Sequence, residues 1–239
     1  MGGTPTGEFS LIYALGTSLS YNINNNTLIG GLTIPSSGAT YLIYNSQSTP
    51  NVTVSGNSLS GTGITKTGTA GTFYAYYNFG SPGVGTVNIV NNSCSNITLN
   101  GTSAFDGFEY RTSTSQTIRI INNTVSNING GTGVKYGIYQ GYGAVGSAIY
   151  NNNIYGLSGG GIIYGIFVGS VAPLGMDCFG NKVDSITATG TGIAYGIYNS
   201  LGGGVTSIYK NKINNITNLN AAGSAIGLHI NGGTTFNIH

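Results

Sequence analysis

Asn123-Thr124-Val125, followed by Tyr136-Gly137-Ile138-Tyr139, recurs two repeats later as Asn181-Lys182-Val183, followed by Tyr195-Gly196-Ile197-Tyr198, and this recurrence decides the fold. The asparagine alone returns as Asn26, Asn57, Asn92, Asn123, Asn152, Asn181 and Asn211, at spacings of 31, 35, 31, 29, 29 and 30 residues. Two residues after each stands Leu28, Leu59, Cys94, Val125, Ile154, Val183 or Ile213, and three residues before each stands Ile23, Val54, Ile89, Ile120, Ile149, Cys178 or Ile208. Five residues after, the column reads Gly31, Thr62, Ile97, Ile128, Leu157, Ile186 and Ile216, so the two earliest repeats are the least regular. Further along each repeat a second apolar centre runs Ile43, Tyr76, Phe108, Ile138, Ile166, Ile197 and Leu228.

Three short strand-like segments, separated by Gly, Asn, Ser and Thr turns within about thirty residues, make one turn of a solenoid. Parallel stacking sets equivalent positions of successive turns about 4.8 Å apart, so each apolar column becomes a continuous ladder. A propeller blade needs about 40 residues or more, and an outer-membrane barrel needs alternating strands of about ten residues. Neither fits this period. The expected fold is all-β, a right-handed parallel β-helix of about seven coils with three strands per coil. It is expected to form a single domain over residues 1–239: a partial coil at 1–20, seven coils at 21–231, and the start of a further coil at 232–239. Such a layout reads as a fragment of a longer protein.

The residue before each repeat asparagine is Asn25, Gly56, Asn91, Asn122, Asn151, Gly180 or Lys210. Asn and Gly tolerate a left-handed backbone, so a turn is expected there. The repeat asparagine itself is expected to stack as a structural ladder, each amide bonding to the coils above and below.

Composition agrees with strands and turns. Charged residues make up 5% of the chain, against roughly 25% in an average soluble domain. Disorder is excluded by the seventeen tyrosines and eight phenylalanines that recur in register with Ile and Val. The formal charge of +2 comes from seven scattered basic residues, with no basic stripe for phosphates, so no nucleic-acid partner is expected. No apolar run approaches a membrane-spanning helix, and Met1-Gly2-Gly3-Thr4-Pro5 does not open a signal peptide. No cofactor is expected, and Cys and His lack metal-ligand spacing. Cys94 and Cys178 fall three coils apart, about 14 Å by coil rise, beyond disulfide reach, and both read as small buried hydrophobes.

The N-x-Ile and Tyr-Gly-Ile-Tyr repeats look like the parallel β-helix repeats of large secreted proteins, especially Bacteroidetes-type bacterial surface proteins, from about Tyr21 to His239. Such repeats occur in polysaccharide lyases, adhesins and phage tailspikes alike, so the resemblance implies an extracellular or cell-surface location and no particular activity.

Two motifs invite over-reading. Gly141-Tyr142-Gly143-Ala144-Val145-Gly146 matches the dinucleotide fingerprint in letters, but a strand rather than a helix is expected to follow. Gly156-Leu157-Ser158-Gly159-Gly160 resembles a nucleophile elbow, yet the only histidines, His229 and His239, have no orienting carboxylate nearby in sequence. Both read as glycine-rich loops. The scattered N-x-S/T sequons are expected in an Asn- and Thr-rich repeat and receive no role.

Two features remain as candidate sites. If Ile138 and its equivalents point inward, alternation sends Tyr44, Tyr77, Glu109, Tyr139, Phe167, Tyr198 and His229 outward as an aromatic stripe. By the same rule Leu42, Ala75, Gly107, Gly137, Gly165, Gly196 and Gly227 are expected outward, as the floor of a shallow groove. Tyr139, Phe167, Tyr198 and Glu109 are then the candidate glycan-binding residues, since sugar CH faces stack on rings. The second feature is Phe105-Asp106-Gly107-Phe108-Glu109-Tyr110-Arg111, where Asp106, Glu109 and Arg111 gather charges that a polysaccharide-cleaving site uses as acid, base or neutraliser. Asp106 paired with Arg111 is the plainer reading. Arg119 and Asp177 share an outward column two coils apart, too far for a preformed site.

No catalytic residue is assigned. The leading expectation is a non-catalytic structural or adhesive segment of a secreted or cell-surface bacterial protein, associating end to end with a second copy or with flanking coils. The alternative is a β-helix that binds or cleaves a glycan.

Overall fold

The computed structural model describes residues 7–16, 18–46, 50–79, 83–111, 115–170, 176–201, 205–232 and 235–238. Regular structure in these residues is entirely strand, arranged in three parallel sheets of eight, eight and seven strands. The first sheet is Phe9–Ala14, Thr40–Asn45, Thr72–Asn78, Ala104–Tyr110, Lys135–Gln140, Ile163–Ser170, Ala194–Leu201 and Ala225–Ile230. The second carries Ile23, Val54, Ile89, Ile120, Ile149, Cys178 and Ile208 in register, and the third carries Cys94, Val125, Ile154, Val183 and Ile213. In each sheet a strand pairs with its equivalent one coil away, as a parallel β-helix requires. The winding is about six turns rather than the seven expected.

The inward columns form one core, and Ile43, Tyr76, Phe108, Ile138, Ile166 and Ile197 have no solvent exposure. In the two earliest repeats the column expected to contain Gly31 and Thr62 is filled instead by Leu32 and Ile64, which pair with each other and then with Ile97. Extra residues in those two turns shift the register.

The asparagine ladder is complete from Asn26 to Asn211. Asn123 shows its logic. Its Nδ2 donates to Asn152 Oδ1 at 3.1 Å and to the Ile89 carbonyl at 2.8 Å, and its backbone N–H donates to the same Asn152 oxygen at 2.8 Å. Its own Oδ1 accepts from the Asn92 backbone and amide at 2.9 and 3.0 Å. The backbone N–H, side-chain amide and side-chain oxygen of Asn123 are thereby all satisfied from neighbouring coils. The preceding residue adopts a left-handed backbone in six coils between Asn25 (φ 57°) and Lys210 (φ 55°), and Gly180 does so too (φ 64°).

A second left-handed position recurs within the third sheet, at Asn96, Asn127, Gly156, Ser185 and Asn215. It drops out of the pairing between Ser126 and Ile128, so Val125 and Ile128 both face the core. The first sheet bends in the same way. Tyr136 pairs with Tyr164 and Ile138 with Ile166 while Gly137 is skipped, leaving Gly137 and Ile138 both inside. This corrects one expectation: Leu42, Ala75, Gly107, Gly137, Gly165 and Gly196 are buried, not outward. A Cβ on Gly137 would meet the Gly165 carbonyl at 2.5 Å and Ile154 Cγ2 at 2.7 Å, which is why the column is small. Gly227, nearer the end of the stack, is only half-buried.

Two lysines lie wholly inside the corner between the third and first sheets. Lys66 donates to the Ser36 and Gly38 carbonyls, and Lys135 to those of Gly131 and Gly133 at 3.1 and 3.4 Å. Burial lowers both ammonium pKa values, that of Lys135 to about 8.

Candidate functional site

The outward face of the first sheet is where the recurring aromatic residues gather. Because the skipped residue places two consecutive side chains inside, the residues on either side of that pair both emerge outside. There are therefore two rows of rings, not one. The expected row is Tyr44, Tyr77, Glu109, Tyr139, Phe167, Tyr198 and His229, in direct register. The row that strict alternation missed is Tyr41, Tyr74, Asp106, Tyr136, Tyr164, Tyr195 and Ile226. Its signal was visible in the Tyr-Gly-Ile-Tyr unit, whose two tyrosines are the two rows.

The rings are spent largely on one another. Tyr136 and Tyr164 stack with centroids 4.9 Å apart and planes 4° from parallel, and Tyr164 and Tyr195 at 5.0 Å and 4°. In the other row Tyr139 and Phe167 stack at 4.9 Å and 6°, and Phe167 and Tyr198 at 5.3 Å and 6°. The rows meet edge to face, as Tyr136 meets Tyr139 at 84°. Ring faces are turned to neighbouring rings, leaving mainly edges toward solvent. A flat-floored groove with free ring faces is therefore absent at Tyr139, Phe167 and Tyr198, and the glycines expected to floor it lie in the interior.

Coil three breaks both rows at once. Asp106 stands between Tyr74 and Tyr136 and Glu109 between Tyr77 and Tyr139, so carboxylates replace rings in adjacent columns. The structure brings the whole predicted charged cluster together. Arg111 Nε donates to Glu109 Oε1, its terminal nitrogen lies 3.7 Å from Asp106 Oδ2, and its guanidinium carbon sits 4.3 Å above the Tyr139 ring centre. The side chain of Glu109 has no exposure and that of Asp106 4%, whereas Arg111 is 41% exposed. Burial pushes the Asp106 carboxyl up to about 7, with Arg111 pulling it the other way. The same burial, with Asp106 adding to it, raises the phenol of Tyr74 to about 12.

The other candidates stay separate. Arg119 and Asp177 are both exposed and two coils apart, each paired with Ala148. Ser147 begins the strand Ser147–Tyr150 immediately after Gly146, so no helix N-terminus exists there for a pyrophosphate. Ser158 lies within the strand Asn153–Gly159. Cys94 and Cys178 are free and buried. His229 stacks on Tyr198, while His239 lies outside the described residues. Among the described residues no group of three or more His, Cys, Asp or Glu is placed to hold a metal, and no helix is long and apolar enough to cross a membrane. No family profile, no curated protein and no solved structure matches the chain.

Proposed function

We propose that this chain is a non-catalytic structural or adhesive β-helix segment of a secreted or cell-surface bacterial protein. One observation carries the reading: the chemically versatile groups that recur are committed to the neighbouring coil. The asparagine amides bond along their ladder and ring faces stack on ring faces, while the carboxylates of coil three, which do not recur, are closed over by Arg111 of the same coil. A catalytic acid or base needs access to its substrate, which a fully buried Glu109 lacks. Side-chain ladders of this kind stiffen a rod and present a rigid face of ring edges to whatever it meets.

End-to-end association belongs to the same reading. At the Leu11 end the core opens into an apolar hollow of about 270 Å³ lined by Leu11, Ile12, Leu28, Leu42 and Leu59, a surface that another coil would cover. That coil belongs to a second copy or to a longer parent chain.

The alternative reading, a glycan-binding or glycan-cleaving β-helix, is favoured only by the coil-three carboxylates. A depolymerisation screen against neutral and acidic polysaccharides separates the two. No cleavage is expected. Turnover that Glu109→Gln abolishes would replace the structural reading with the enzymatic one.

A further inference from the structure

We infer that the break in coil three is a recognition site for a guanidinium group, held shut in this structure by Arg111. The inference goes beyond the structural role and stands or falls separately from it.

The first ground is what surrounds the break. Removing one ring from each row leaves Tyr74 and Tyr77 on one side and Tyr136 and Tyr139 on the other, two coil rises apart, about 9.6 Å. Ring faces bounding a gap, with carboxylates at its base, form the environment that attracts a flat, weakly hydrated cation. A guanidinium already lies there, over Tyr139.

The second ground is that Arg111 fits this place imperfectly. Glu109 Oε2 is buried and has no hydrogen-bond partner. The terminal nitrogen of Arg111 stands 3.7 Å from Asp106, outside hydrogen-bond distance. Arg111 is only two residues from Glu109, and with this short tether Nε meets Oε1 while no second N–H reaches Oε2, so the two-pronged match to the carboxylate is left half made. An untethered guanidinium is free to complete that match. Two carboxylates against one cation also leave the pair under-neutralised whenever Asp106 is ionised.

The third ground is the route of exchange. Arg111 reaches in from the surface with two fifths of its side chain exposed, so it leaves without moving any core residue. It therefore acts as an internal stand-in that an external guanidinium displaces.

Arg111→Ala opens the site. Methylguanidinium and the capped tripeptide Gly-Arg-Gly, titrated into this variant by calorimetry, should each bind saturably, about ten-fold or more tighter than to the unaltered chain. Parity between them identifies a free small cation as sufficient, and a tighter tripeptide identifies an arginine on an extended partner segment; both support the site. Arg111→Ala/Glu109→Gln should lose the saturable signal. Heats indistinguishable from sodium chloride at matched ionic strength, or binding undiminished by Glu109→Gln, would overturn the inference. Should Arg111→Ala not fold, Arg111→Gln keeps the side-chain stem over Tyr139, removes the charge and carries the same titration.

Discussion

Gly137 of the first sheet and Ile154 of the third are packed so closely that a Cβ on the glycine would lie 2.7 Å from Ile154 Cγ2. The contact belongs to a series, since Gly165 faces Val183 and Gly196 faces Ile213 in the same way. It fixes how near the two sheets approach, and the bend it requires sends two rows of rings outward. Gly137→Ala and Gly165→Ala should each destabilise the chain by about 1–3 kcal/mol through overpacking. Were the column on the surface, the same change would be neutral or would raise stability by up to about 1 kcal/mol. Urea unfolding distinguishes the signs.

The asparagine ladder gives a graded expectation. Asn123→Ala removes the acceptor of two Asn92 donors and the donor to the Ile89 carbonyl, all buried. It should cost about 2–4 kcal/mol. Asn26 is exposed, and its side chain donates to Asn57 Oδ1 and to the Asn24 carbonyl, where water can replace what is lost. Asn26→Ala should therefore cost about 1 kcal/mol or less. Equal effects at both positions would show that the ladder does not act through buried hydrogen bonds.

The ring rows should be structural in their own right. Tyr164 touches Tyr136, Tyr195, Phe167 and Tyr198. Tyr164→Leu keeps an apolar side chain but loses these contacts, at a cost of about 2 kcal/mol and a reduced near-ultraviolet circular dichroism signal. Unchanged stability and spectrum would free the rings for a role as a ligand platform.

Stability should pass through a minimum near neutral pH. The folded-state pKa of Asp106 is raised from 3.8 to about 7. Between those values the folded chain holds a proton that the unfolded chain has released, so stability falls as pH rises through that window. Arg111 is the cation facing Asp106, with the phenols of Tyr74 and Tyr136 on either side. The Lys135 pKa is lowered from 10.5 to about 8, so there the unfolded chain binds the extra proton and stability climbs again as pH rises from about 8. Asp106→Asn should flatten the acidic limb and Lys135→Met the alkaline one, read as urea midpoints across the pH range. A profile that only rises with pH would contradict the burial of Asp106, and one that only falls would contradict that of Lys135.

The period of about thirty residues, the three strands per coil, the apolar columns and the asparagine ladder were all legible in the chain, because in a parallel solenoid each residue's principal neighbours are its own equivalents one repeat away. Val54, Ile89, Ile120 and Ile149 stand in register just as their spacing implies. The charged cluster was legible too, since Asp106, Glu109 and Arg111 are close in sequence as well as in space.

What the sequence determined by itself is therefore everything that repetition and local proximity dictate: the coil, its columns and the first row of rings. Which way Gly137 points was not among these, because alternation along a strand predicts one inward residue at a time, whereas the bend that places Gly137 and Ile138 inside together depends on how closely Ile154 approaches from another sheet. The second row of rings followed from that bend. Only the tertiary structure decided that ring faces would be consumed by stacking, that Lys66 and Lys135 would be enclosed among backbone carbonyls, and that Arg111 would lie over Tyr139 of the next coil, because each depends on distances between coils and sheets rather than on order along the chain.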